Sequence, residues 1–112
     1  MKDHVIVCGF GRNGAKACEE LYANQVNFVL VELDSEVIEH LPDAERPQTI
    51  IGDATQDEVL KNAGIERARA IITTLPSDAD NVYIVLTARE LNNDIQIIAR
   101  ASDASSSKKL NR

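Results

Sequence analysis

Val5-Ile6-Val7-Cys8-Gly9-Phe10-Gly11-Arg12-Asn13-Gly14, answered by Phe28-Val29-Leu30-Val31-Glu32-Leu33-Asp34, decides the fold of this chain. An apolar run leads into a G-x-G-x-x-G turn. A stretch of helical periodicity follows, and a second apolar run ends in an acid. In that setting a glycine-rich turn is a dinucleotide-binding fingerprint. Gly9 permits the tight turn out of the strand, and Gly11 lets phosphate approach the backbone. Gly14 lets the helix pack on the strand. The first turn of the helix offers unpaired N–H groups and a positive dipole end. Glu32, 18 residues after Gly14, can accept hydrogen bonds from ribose hydroxyls. Asp34 is a weaker candidate for that role, because it also suits the start of the next helix.

Outward from this unit the same alternation repeats. In the helix over residues 12–23, Gly14, Cys18, Leu21 and Tyr22 recur at helical spacing and are expected to face the sheet. Ser35 is placed to cap a short helix carrying Val37, Ile38 and Leu41, which Pro42 ends. Thr49-Ile50-Ile51 reads as a third strand, left by Gly52-Asp53-Ala54-Thr55. Thr55 is the expected cap of a helix carrying Val59, Leu60 and Ala63. Gly64 then stops that helix in the left-handed conformation, with Ile65 packing beyond. Residues 70–74 form a fourth strand. Ser77 opens a fourth helix, whose Val82, Val85, Leu86 and Arg89 are expected inward. Asn92-Asn93 break that helix, and residues 95–99 form a fifth strand.

Five strands alternating with four helices define an α/β fold, a three-layer Rossmann-like parallel sheet with helices on both faces. The expected strand order is 3-2-1-4-5, with the ligand crevice between strands 1 and 4. Ligands bind at the carboxyl ends of such strands. The candidate nucleotide contacts are therefore Gly9, Phe10, Gly11, Arg12, Asn13 and Gly14 from the turn, and Glu32, Leu33 and Asp34 from the second strand. Gly52, Asp53 and Ala54 follow the third strand, Thr73 and Thr74 the fourth, and Arg100 the fifth. For Asp53 and Thr74, local turn or strand-end roles compete with ligand contact.

The remaining chemistry-bearing residues read as structural. His4 lies at the strand end away from the crevice, and His40 suits the last turn of its short helix. Cys8 and Cys18 lack metal-ligand spacing and fit small core positions. At 112 residues the chain fits one domain. Its net charge of −6 argues against a nucleic-acid partner. No apolar run approaches the roughly 20 residues that span a bilayer. Reduced cysteines and a strand close behind Met1 point to the cytoplasm.

The sequence resembles the RCK domain (regulator of potassium conductance), also called the KTN or TrkA N-terminal domain, over nearly its whole length. The resemblance is carried by residues 4–14, Glu32-Leu33-Asp34, Gly52-Asp53-Ala54-Thr55, Ala68-Arg69-Ala70-Ile71-Ile72, Asp80-Asn81 and Ile97-Ile98-Ala99-Arg100-Ala101. Two features depart from the family pattern. Glu32 stands where Asp is commoner, and the chain stops where the family continues into a crossover helix and second lobe. The resemblance implies a nucleotide-binding lobe over residues 1–101, with residues 102–112 as the start of that helix or a disordered tail. It implies a cytoplasmic ligand-sensing domain of a potassium channel or potassium-transport system, at the inner face of the membrane. The ligand would be NAD(H) or ATP, ADP or AMP. The partners would be a second copy, as a homodimer or gating ring, and a membrane-embedded channel or transporter subunit on the same or another chain. The family's arginine at the Arg12 position can reach terminal phosphates across a dimer.

The alternative is the cofactor domain of an NAD-dependent oxidoreductase. Such an enzyme needs a substrate pocket and an acid or base beside the nicotinamide. The sequence offers neither. Lys61 and Tyr83 fall inside helices, so a sensor rather than an enzyme is expected.

Overall fold

The structure is a computed structural model and describes residues 1–99. Arg100, the 101/102 domain boundary and the expected tail lie outside the described residues. The elements are β1 (Val5–Cys8), α1 (Arg12–Ala23), β2 (Phe28–Glu32), α2 (Glu36–Glu39), β3 (Thr49–Ile51), α3 (Asp57–Asn62), β4 (Ala70–Thr73), α4 (Asp78–Leu91) and β5 (Gln96–Ala99). Single 3-10 turns at Asp43–Glu45 and Ile65–Arg67 were not expected from the sequence.

All five strands pair in parallel, in the order β3-β2-β1-β4-β5. In register, Val5 stands beside Phe28 and Ala70, and Cys8 beside Val31 and Thr73. β1 and β4 are buried along their whole length, which explains their unbroken apolar runs. One core holds Ile6, Cys8, Val31, Leu60, Ile65, Ile71, Ile84 and Ala88, beneath α3 and α4. The other holds Val5, Val7, Ala17, Cys18, Leu30, Ile38 and Ile72, beneath α1 and α2. Each fully buried Leu or Ile contributes about 1.5–3 kcal/mol; Ile6, Leu30 and Ile71 do so from the strands, and Leu60, Ile65, Ile84 and Ile95 from the segments packed on them.

Local chemistry departs from expectation at four places. Ser35 makes no side-chain cap; the Asp34 carboxylate accepts the Glu36 N–H at 3.0 Å instead. Thr55 does not cap α3, which starts after Gln56, because its N–H and hydroxyl both go to Asp53 Oδ1 at 2.9 and 2.7 Å. On α1, Ala17 faces the core and Tyr22 is 77% exposed. On α4 the inward side is Asn81, Ile84, Thr87 and Ala88, whereas Val82 and Leu86 are 58% and 64% exposed. Ser77 does cap α4, and Gly64 is left-handed at φ 81° with Ile65 fully buried behind it.

The lower edge of the sheet is closed. His4 is fully buried and donates from Nε2 to the Ala63 carbonyl at 2.7 Å. Asn92 donates to both the Ile65 and Ala68 carbonyls at 2.9 Å, tying the end of α4 to that edge.

Candidate functional site

At the upper edge the chain leaves β1 through the glycine turn. Gly9 has φ 97°, a conformation that favours glycine. Its N–H bonds the Val31 carbonyl at 2.9 Å, which holds the turn against β2. A Cβ on Gly14 would collide with the Gly9 carbonyl oxygen, so α1 can sit this close only with glycine there. A Cβ on Gly11 would meet no protein atom within 4 Å. Packing does not require glycine at that position; close approach of a ligand would. Helix α1 begins with no side-chain cap and no acid in its first turn. Its leading N–H groups and positive dipole end are thus suited to an anion.

Glu32, at the end of β2, is turned toward this loop. Its Oε1 accepts the Phe10 N–H and its Oε2 accepts the Asp34 N–H, both at 2.8 Å. A carboxylate oxygen has two lone-pair directions, so each keeps capacity for a ribose hydroxyl. Next to it, Asp53 receives the two Thr55 bonds, which hold its carboxyl below the usual carboxylate range. Across β1, the buried Thr74 donates its hydroxyl proton to the Cys8 and Gly9 carbonyls at 2.9 and 3.3 Å. It stitches the exit of β4 to the glycine turn and offers a ligand only its oxygen as an acceptor.

These groups line a cleft of about 380 Å³, within the range of small-molecule sites. Gly9, Phe10, Gly11, Arg12 and Asn13 form its middle, and Glu32, Leu33 and Asp34 one wall, with Gly52, Asp53 and Ala54 beyond. Thr74 stands on the other wall. Two candidates are not lining residues. Gly14, in the first turn of α1, is buried against Gly9, and Thr73 is fully buried. Arg100 lies outside the described residues. The structure adds Val31, Leu75, Pro76 and Asp80 to the lining. Asp80 had a sequence signal, the Asp80-Asn81 pair, but nothing in the pair said that it reaches the cleft.

The cysteines stand apart from this chemistry. Cys8 and Cys18 lie in cores on opposite faces of the sheet, so they cannot act as a redox pair. Burial pushes both thiols up to about 12. Among the described residues, no helix is long and apolar enough to cross a membrane.

Strand order, glycine turn and terminal acid together define a Rossmann-like α/β domain. The chain belongs to the TrkA-N domain family, whose pattern it matches over residues 5–112. It is 43% identical to probable potassium channel protein 2 of Methanocaldococcus jannaschii, across 98% of this chain and 33% of that protein. The chain thus spans about a third of that relative's length. Among solved structures it is similar to the TrkA-N domain of inner membrane protein YbaL from Escherichia coli. That match has a TM-score of 0.83 and 29% identity, over 99% of this chain and 82% of the other. It is also similar to the GsuK channel bound to NAD, with TM-score 0.79 and 27% identity over 99% of this chain and 20% of that one. A GsuK structure bound to ADP aligns at TM-score 0.77 and 27% identity, over 99% of this chain and 29% of that one.

Proposed function

We propose that this chain is a nucleotide-sensing regulatory domain of a potassium channel or potassium-transport system, and that it binds NAD(H) or an adenine nucleotide without chemically changing it. The observation that carries this reading is the Glu32 cradle. A carboxylate is held by two backbone N–H groups beside an uncapped helix N-terminus, in a chain whose relatives include a potassium channel and an NAD-bound channel structure. Adenosine ribose would sit on Glu32, the adenine between Leu33 and the Gly52–Ala54 turn, and the phosphates over Gly11 and Arg12.

Binding regulates only if it favours one arrangement of attached parts over another. In this reading two domains associate, Arg12 reaching the neighbour's phosphates as well as those over its own glycine turn. Ligand changes their relative position at the cytoplasmic face of a membrane-embedded partner. Among the described lining residues, Asp and Glu carboxylates and Arg12 are the ionisable groups, and the cofactor-conversion arm of the test separates a sensor from an enzyme. The direct test is calorimetric titration with NAD, NADH and ADP, followed by chromatography of the mixture. Saturable binding with the nucleotide recovered intact supports a sensor. Absence of binding, or steady conversion of cofactor, overturns it.

A further inference from the structure

Charge is unevenly distributed along the cleft. Arg12 is the one cation among the described lining residues and stands over the end of β1. Glu32, Asp34 and Asp53 lie on the β2–β3 side, and Asp80 on the β4 side. The Asp80 end is firmly built. Asn81, 6% exposed, donates to the Leu75 carbonyl at 2.9 Å and accepts the Leu75 N–H at 3.0 Å. One side-chain amide thereby closes the turn as a neighbouring strand would. Ser77 Oγ accepts the Asp80 N–H at 3.2 Å. The backbone at Asp80 is therefore fixed at the cleft wall, and its side chain is exposed there.

The two helices that begin at the cleft also differ. α1 has no acid in its first turn, whereas α4 has Asp78 and Asp80. The positive end of α1 is open to an anion, and that of α4 is already offset by carboxylates.

We propose that the cleft selects a dinucleotide, charged at a central diphosphate with a neutral ribose on either side, over a nucleoside triphosphate, and that Asp80 is the discriminating residue. This rests on the nucleotide-binding reading above. Neighbouring strands lie about 4.8 Å apart, so the strand ends from β3 to β4 span about 14 Å. A ligand with its first ribose on Glu32 carries its diphosphate over the glycine turn and Arg12. Whatever follows the diphosphate passes over β4 toward Asp80. A second ribose there gives hydroxyl protons to the carboxylate. A third phosphate there meets a like charge on a helix end that no longer attracts it.

The test is calorimetry of the full 112-residue chain with NAD, ADP-ribose, AMP, ADP and ATP, in chelator and then with magnesium. The wild type, Asp80→Asn and Asp80→Glu are compared, with melting curves to show that each is folded. NAD and ADP-ribose are expected to bind about tenfold tighter than ATP in the wild type. Asp80→Asn should narrow that ratio about fivefold, as expected for one exposed charge pair, and Asp80→Glu should restore it. ATP binding as tightly as NAD, or an unchanged ratio in Asp80→Asn, overturns the assignment. So does magnesium that tightens ATP beyond NAD in the wild type but not in Asp80→Asn, since Asp80 would then hold a metal on a triphosphate. If ADP and AMP bind without any dinucleotide preference, this inference fails alone. If no nucleotide binds, the functional reading fails with it.

Discussion

The two edges of one sheet have been built to opposite specifications. At the lower edge His4 is fully buried against Ala63, Gly64 packs on the imidazole, and the recess beside them is only about 90 Å³. At the upper edge the cleft is about 380 Å³, and Glu32 and Asp53 hold carboxylates near the surface with part of their hydrogen-bonding capacity committed. Polar groups at the lower edge complete the fold. Those at the upper edge are organised by the fold and remain able to meet something else. Substitutions at the two edges should therefore separate stability from binding.

The largest effect is expected from His4→Ala. It removes a buried ring and leaves the Ala63 carbonyl without its donor, at a cost of about 3 kcal/mol. Nucleotide affinity of the folded fraction should be unchanged. Urea unfolding with and without ligand measures both, and an affinity loss would show that the two edges are coupled. Glu32→Ala should act mainly on binding, with a smaller loss of stability from freeing the Phe10 and Asp34 N–H groups. The proposed charge-assisted bonds to ribose would be worth about 1.5–3 kcal/mol, a loss of roughly 10- to 100-fold in NAD or ADP affinity. The same carboxylate should make NADP bind worse than NAD, through repulsion of the 2′-phosphate. Equal calorimetric affinities for NAD and NADP would remove Glu32 from the ribose.

Arg12→Ala should weaken ADP and NAD by about fivefold, the effect of one exposed charge pair, and AMP by less. It should also weaken any nucleotide-dependent association seen in sedimentation. Uniform loss across AMP, ADP and NAD, with unchanged assembly, would show that Arg12 does not read phosphate. The smallest effect concerns Asp53. The bonds from Thr55 lower its folded pKa, so the stability it contributes is present above its unfolded value near pH 4 and is lost as pH falls through the lower folded value. NMR titration of the carboxyl should place it below the ordinary range. Thr55→Val should move it back up, and an unmoved titration would mean that the backbone bond alone sets it.

The strand order, the bounds of α1 and the placement of twelve of the lining residues follow from the glycine turn and the apolar runs. These are local signals with one physical meaning, because a buried parallel strand needs apolar side chains on both faces. The inward face of α4 was not legible. Val82, Tyr83 and Leu86 form a larger apolar stripe than the side that packs, and that side includes Asn81, Thr87 and the small Ala88. Periodicity ranks faces by hydrophobicity. Here close helix–sheet packing took the smaller residues, and Asn81 found its partners in Leu75. Asp34 was legible as a residue suited to the start of the next helix and Asp53 as a turn former, but their partners were not. Asp34 rather than Ser35 accepts the Glu36 N–H, and Asp53 engages Thr55 itself and so removes it as a cap. The place of Asp80 at the cleft is not legible in the sequence because it depends on the β4–α4 turn, which the Asn81 side chain makes.

The two amides that grip Glu32 also bear on the speed of recognition. In the proposed reading Glu32 meets a ribose, and its side chain is already held by the Phe10 and Asp34 N–H groups. The rotational freedom that an unrestrained glutamate would surrender on capture has been given up during folding. Arrival of ligand then calls for little rearrangement at this end of the cleft. In the proposed sensor, a preset Glu32 leaves ligand departure rather than side-chain ordering to set the response time at this end of the cleft.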